Sequence, residues 1–260
     1  MNGLCEKAKG AASAALVIAL VLMGVVDAVA QTRIVAHRGY WDCEGSAQNS
    51  IAALRLADKI GVYGSEFDIH LAADGNVVVN HDPTVGDLRI ESSTLEELRA
   101  MRLPNGEQVP TLDEYLAAAR KLKTRLVLEV KRQGDREREA RLVDLAVAAV
   151  KRHGLESRTE YISFSGDACM RLRELCPKAD VYYLNGDWTP AEVKARGLTG
   201  IDYAESVFKA HPGWIGECQR LGLKVNVWTV NDLNSVDRLV KQGVDFITTN
   251  RPVEAMKLSR

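Results

Sequence analysis

No C-x-x-C pair occurs anywhere in the 260 residues, which argues against a zinc site built on paired cysteines. Nor is there a block of basic residues: 34 Lys and Arg stand against 35 Asp and Glu, for a formal net charge of -1. A general nucleic-acid binder needs a cationic footprint that this chain lacks, and attachment to an anionic membrane by charge alone is disfavoured on the same ground. No G-x-G-x-x-G follows the first strand-like run, so an open, doubly wound dinucleotide fold has no support. Repeats, low-complexity tracts and interdomain linkers are missing as well.

The apolar run from Ala11 to Val26 falls short of the ~20 residues a membrane span needs. Lys7 and Lys9 precede it, and Ala28-Val29-Ala30 offers a small-x-small cleavage site before Gln31. That is the layout of a secretory signal peptide; an uncleaved anchor fits neither the length nor the cleavage site. No cysteine follows the run directly, which argues against a lipidated N-terminus. Residues 1–30 are therefore expected to be a signal peptide. The mature chain, 31–260, is expected to be periplasmic or secreted, without a stable membrane anchor. Loss of Glu6, Lys7, Lys9 and Asp27 leaves the net charge unchanged.

Four cysteines remain: Cys43, Cys169, Cys176 and Cys218. Export permits disulfides, but four cysteines allow three pairings and the sequence does not choose among them. Cys169 and Cys176 lie seven apart in an expected helix, about 10 Å along its axis, beyond a disulfide's reach. Buried free thiols are expected.

What the chain does have is a rhythm. Strand-like runs at 34–37, 65–70, 125–130, 160–164, 180–184, 200–203, 224–228 and 245–248 alternate with helix-like stretches at 49–60, 111–123, 136–153, 166–176, 189–196, 208–221 and 232–242. Thr94 with Glu97 and Thr111 with Glu114 have capping-box spacing. Leu112, Tyr115, Leu116, Ala119 and Leu122 form one amphipathic stripe. Eight strands alternating with helices imply a parallel sheet, and eight is the number that closes a (β/α)₈ TIM barrel. The length suits one such domain. Residues 72–110 interrupt the rhythm after the second strand, with a turn at 73–76, a short extra strand at 77–80 and a loop region holding one small helix at 94–101. In a barrel this excursion lies above the catalytic mouth.

The chemistry-bearing residues sit at strand ends, where parallel barrels build their active sites. Residues two apart on a strand share a face, so Glu66 points with Asp68, and Glu129 with Lys131. Three carboxylates meeting over the mouth repel unless a divalent cation neutralises them, and hard oxygen ligands favour Mg²⁺ or Ca²⁺ over zinc. His37 ends the first strand and His81 the extra one. Near their ordinary pKa such histidines serve as general base and general acid, and Asp82 is placed to orient His81. Arg38 and Lys131 suggest an anionic phosphate held between cations, with Arg38 able to bind two oxygens at once. His70, His153 and His211 are read as structural.

His37-Arg38-Gly39, Gln48-Asn49-Ser50, Glu66-x-Asp68, His81-Asp82, Leu128-Glu129-x-Lys131, Ser163-Phe164, Val227-Trp228-Thr229-Val230-Asn231 and Thr249-Asn250-Arg251-Pro252 together resemble the successive motifs of the glycerophosphodiester phosphodiesterase family. The resemblance runs in order over almost the whole mature chain. It implies a (β/α)₈ barrel that hydrolyses glycerophosphodiesters to glycerol phosphate and an alcohol, using a divalent metal and two histidines. Carried over residue by residue, the catalytic pair falls on His37 and His81. The metal carboxylates fall on Glu66, Asp68 and Glu129, the phosphate-binding cations on Arg38 and Lys131, and the substrate-pocket aromatic on Trp228; Phe164 joins the set without an assigned role. Gln48 stands where the family commonly has Glu, and Asn250 where it has Asp. Both bear on metal affinity and preference more than on the reaction.

Two rival readings keep the barrel. One is a lysophospholipase D or sphingomyelinase D-like phosphodiesterase, which requires an apolar channel for an acyl chain. The excursion offers only Val85, Leu88, Ile90, Leu95 and Leu98 toward it. The other is a barrel that binds phosphodiesters without cutting them, supported by Gln48 alone. Which histidine is acid and which is base, the head group, and the oligomeric state are open at this point.

Overall fold

The computed structural model describes residues 31–259; the expected signal peptide lies outside them. The strands are β1 (Arg33–Ala36), β2 (Gly64–Leu71), β3 (Val77–Val79), β4 (Thr84–Val85), β5 (Leu88–Arg89), β6 (Arg125–Val130), β7 (Thr159–Ser163), β8 (Val181–Tyr183), β9 (Gly200–Ala204), β10 (Lys224–Trp228) and β11 (Phe246–Thr249). Eight of them run in the order β1-β11-β10-β9-β8-β7-β6-β2, all neighbours parallel, and β1 pairs back onto β2. The sheet thus closes on itself with helices between strands, the expected (β/α)₈ barrel.

Both faces of a barrel strand are covered, one by the lumen and one by helices, so such strands lose simple alternation. All eight residues of β2 are buried. Phe67 faces the helix layer, where its ring stacks on Tyr115 at 4.3 Å; Glu66 and Asp68 take the other face. Tyr115 belongs to the expected stripe, and Leu112, Leu116 and Ala119 are buried beside it. Both expected capping boxes are present, and a third, Thr189 with Glu192, opens the helix Pro190–Ala195.

Three differences from the sequence reading have local causes. The stretch expected as one helix over 208–221 is two, Glu205–Ala210 and Trp214–Leu221. Pro212 sits between them, and a proline drives the residue before it out of helical geometry; His211 has φ -126° and ψ 68°. A further helix, Pro252–Leu258, opens with proline at its first position, where a missing N–H costs nothing. The excursion holds a small hairpin of β4 and β5 as well as its helix, Leu95–Ala100. Its apolar residues form a satellite core of their own: Val85, Ile90, Leu98, Leu103 and Val109 pack with Ala47, Ala72 and Val78, and Leu88 and Leu95 lie against them. The four described cysteines are free, as expected, and Cys169 and Cys218 are buried.

Candidate active site

The site begins with register. β2 lies beside β6 with Asp68 opposite Glu129 and Glu66 opposite Val127, so the two-residue period puts Glu66, Asp68 and Glu129 on the lumen side near the strand ends. One carboxylate oxygen from each lies within 4.8 Å of the others, and the side chains are almost wholly buried, at 3, 1 and 7 % exposure. Lys131 reaches back over them, its Nζ 3.1 Å from Asp68 Oδ1 and 2.9 Å from Glu129 Oε1. The acid set, its lysine and β1's exit thus converge as the strand pattern implied.

β1 delivers His37 and Arg38. The His37 amide donates to the Thr249 carbonyl (3.0 Å), extending the β1–β11 ladder by one residue. Arg38 then turns into the left-handed region at φ 58°, a conformation costly for a residue with a Cβ and found where a site requires it. The turn aims the Arg38 amide at Glu66 Oε2, at 2.7 Å. Gly39 follows at φ +78°, where a Cβ would stand 2.6 Å from that of Ala53, so a side chain there would push the first helix off the site.

Asn49 is also left-handed, at φ 62°, and clamps Asp68 twice. Its Nδ2 donates to Asp68 Oδ2 (2.8 Å) and its Oδ1 accepts from the Asp68 amide (3.0 Å). Ser50 beside it caps the helix Ile51–Ile60. Gln48 points elsewhere: its Oε1 accepts from Arg38 Nη1.

His81 leaves the extra strand β3. Its Nδ1 is 2.7 Å from Asp82 Oδ1, and its backbone carbonyl accepts from His70 Nε2 at 3.1 Å. His70 therefore props the loop that carries His81. His37 Nδ1 has a different partner, Asn250 Oδ1 at 2.8 Å, which also lies 3.3 Å from Trp41 Nε1. At the far side of the mouth the Trp228 indole donates to the Asp202 carbonyl (2.8 Å) and meets Phe164 edge-on at 5.5 Å. Beside them a cleft of ≈ 440 Å³ is lined by Arg132, Gln133, Asp135, Arg136, Asp167 and Trp188 among others.

Burial, then the charges of Asp68 and Glu129, pushes the Glu66 carboxyl well above its ordinary range. Burial and Asp68 push Glu129 up to about 8. Burial works in the same direction on Asp68, but Lys131, His81 and Asn49 outweigh it and hold its pKa below the usual value. The same acids raise Lys131 against its own burial. Three acids with one lysine among them cannot all carry full charge at neutral pH without a further cation. His37 is lowered to about 4 by burial and by Arg38, with Asn250 partly offsetting them. His81 is lowered by burial, against the pull of Asp68 and Asp82.

Residues 37–254 match the profile of the Glycerophosphoryl diester phosphodiesterase family. The chain belongs to that family. It is an enzyme of the phosphoric diester hydrolase class. A glycerophosphodiester phosphodiesterase of Caldanaerobacter subterraneus subsp. tengcongensis is 28% identical over 249 residues, covering 88% of this chain and 98% of that protein. The crystal structure of a glycerophosphodiester phosphodiesterase from Parabacteroides distasonis superposes with a TM-score of 0.87 at 49% identity, over 88% of this chain and 97% of that one. A putative glycerophosphoryl diester phosphodiesterase from Silicibacter pomeroyi does so with a TM-score of 0.77 at 25% identity, over 88% and 93%.

Three participants had no role in the sequence reading: Asn49, Trp41 and Asn250 as partner of His37. The contacts of Asn250 span 213 and 209 positions, which no local spacing encodes. Asn49 was in view inside Gln48-Asn49-Ser50, and the signal for it was that short amides tolerate left-handed backbone.

Proposed function

We propose that the chain hydrolyses glycerophosphodiesters to glycerol phosphate and an alcohol, with a divalent cation, Mg²⁺ or Ca²⁺, held by Glu66, Asp68 and Glu129. The observation that carries this reading is the convergence of the three acids within 4.8 Å. Glu66 Oε1 is buried without a hydrogen-bond partner, and Glu129 Oε1 is buried with only Lys131 Nζ beside it, at 2.9 Å. Unpartnered buried oxygens are costly, and an all-oxygen acidic set suits a hard cation. Bound there, the cation would withdraw charge from the phosphate and lower the barrier to attack on phosphorus.

The chain's own residues do the rest. Arg38 and Lys131 hold the phosphate oxygens. Of His37 and His81, one takes the proton of the attacking hydroxyl and the other returns a proton to the departing alkoxide. Asp82 favours a protonated His81, whereas a neutral amide faces His37. Trp228, fixed by its indole N–H, forms the apolar wall of the substrate pocket with Phe164 at its edge. The signal-peptide layout of residues 1–30 assigns this activity to the periplasm or the exterior.

The lysophospholipid reading loses support. The apolar residues of the excursion are consumed in their own core, and the cleft beside the mouth is lined mainly by charged and polar groups. The test is release of glycerol phosphate from glycerophosphocholine by the purified mature chain. Turnover is expected with Mg²⁺ or Ca²⁺ and none in excess chelator. Full activity in chelator removes the metal, and cleavage of lysophosphatidylcholine alone overturns the substrate.

A further inference from the structure

We propose that Asn250 and Trp41 are positioning residues that hold His37 as the Nδ1–H tautomer, leaving Nε2 as its proton-accepting atom. The inference rests on reading His37 as a member of the catalytic pair, and it deepens that reading by assigning the histidine a direction.

The argument is one of donors and acceptors. An indole N–H can only donate. Trp41 Nε1 lies 3.3 Å from one terminal atom of the Asn250 amide, so that atom is the oxygen. The usual ambiguity between amide oxygen and nitrogen is thereby removed at this position. The same oxygen is 2.8 Å from His37 Nδ1. A carbonyl oxygen brings lone pairs and no proton, so Nδ1 must supply the hydrogen. In a neutral imidazole one ring nitrogen donates and the other accepts, which leaves the lone pair on Nε2.

The frame behind this pair is rigid. The Asn250 backbone N–H donates to Asn231 Oδ1 at 2.9 Å, and Thr249 Oγ1 lies 3.2 Å from the same oxygen. The loop after β10 thus pins the loop after β11, while the Thr249 carbonyl takes the His37 amide. The other charged or titratable groups acting on the ring are Arg38, Asp68 and His81. Burial and Arg38 disfavour the imidazolium, consistent with a ring that waits as an acceptor.

His81 has the opposite setting. Its Nδ1 faces a carboxylate, Asp82, which favours a second proton on the ring against the burial that lowers its pKa. The two histidines are therefore unequal: His37 takes the proton of the attacking hydroxyl and His81 supplies one to the leaving oxygen.

The test reads the ring directly and does not depend on turnover. Long-range ¹H–¹⁵N spectra of the mature chain at neutral pH, assigned with the His37→Gln variant, should show a protonated Nδ1 and an unprotonated Nε2. The reverse pattern overturns the proposal. Trp41→Phe frees the Asn250 amide to turn, so a share of His37 should move to the Nε2–H form and kcat should fall by about 10–100-fold with KM little changed. Asn250→Asp keeps an acceptor and adds a negative charge, so the tautomer should persist while the His37 pKa rises by about 1–3 units. A ring whose tautomer and titration are the same in both variants as in the parent overturns the roles of Asn250 and Trp41. The expected tautomer in a chain without phosphodiesterase activity would support the positioning geometry and sink the functional reading instead.

Discussion

At the barrel's mouth, Glu66, Asp68 and Glu129 share one lysine, the backbone amide of Arg38 and the side chain of Asn49, and Glu66 Oε1 is buried without a hydrogen-bond partner. One layer deeper, Glu160 has a cation and a hydroxyl on one oxygen, Oε1. Arg125 Nε donates to it at 2.7 Å and the Tyr63 hydroxyl at 2.5 Å, with Arg33 packed over the Tyr63 ring at 4.8 Å. Asp202 shares that interior with Val35, Val127, Ile162, Tyr182, Asn226 and Phe246, which with it represent seven strands around one small void. No cation acts on it. Burial first, then the charge of Glu160, pushes its carboxyl up to about 8, against the pull of Asn226. Asp202 Oδ1, like Glu66 Oε1, is buried without a hydrogen-bond partner; what sets the mouth apart is that three acids converge there within 4.8 Å around one lysine.

The largest expected effects lie at the mouth and concern rate. His37→Ala and His81→Ala should each lower kcat by about 10²–10⁴, the weight of a positioned acid or base, with the melting temperature little changed. An unchanged kcat in either variant would remove that histidine from the chemistry.

Glu160→Ala should do the reverse, lowering stability more than rate. Removing one partner of a buried pair costs about 3–5 kcal/mol. Arg125 keeps the Ser157 carbonyl at 3.2 Å and some access to water, so we expect about 2–4 kcal/mol in urea unfolding. A cost near zero would mean that the lower barrel is no better balanced than the mouth.

Asp202→Asn sharpens the contrast through pH. The folded-state pKa of Asp202 is raised to about 8 from an ordinary 3.8. Between those values the folded chain holds a proton that the unfolded chain releases, so stability from this group is fully present below pH 4 and is lost as pH rises to about 8. Asparagine has no proton to lose. The variant should match the parent near pH 4 and exceed it at pH 8 by on the order of a few kcal/mol, read as a difference in melting temperature that widens with pH. Parallel stability curves would show that Asp202 is ionised in the fold.

Much of this contrast was legible in the sequence, and the illegible part has a physical reason. β-branched and apolar runs at regular spacing marked all eight barrel strands to within about one residue. Glu66, Asp68 and Glu129 came into view because a two-residue period decides facing within one strand. Glu160 and Asp202 lie on strands that were marked just as well, yet they drew no attention. A single acid in a strand says nothing of whether an arginine 35 positions away or no cation at all will meet it. The break at Pro212 was a local signal overridden by helical spacing on both sides. Trp41, Asn231 and Asn250 meet across loops after different strands, and only closure of the barrel brings them together.

The smallest expected effect tests whether the mouth tolerates another charge. Gln48 stands beside Asn49, which clamps Asp68, but its own Oε1 accepts from Arg38 Nη1. Gln48→Glu therefore adds its charge to the arginine first and to the three-acid cluster only at a remove. A half-buried ion pair of this kind contributes about 1 kcal/mol or less, and the repulsion it adds toward Glu66 offsets part of that gain. We expect the Kd for Mg²⁺ or Ca²⁺ to change by about fivefold at most, the equivalent of ~1 kcal/mol. KM should rise modestly, because Arg38 is held back from the phosphate. Calorimetric titration with both ions decides between the roles: a much tighter metal site would bring position 48 into the coordination shell, whereas near-equal affinities with a raised KM would leave it as the residue that restrains Arg38.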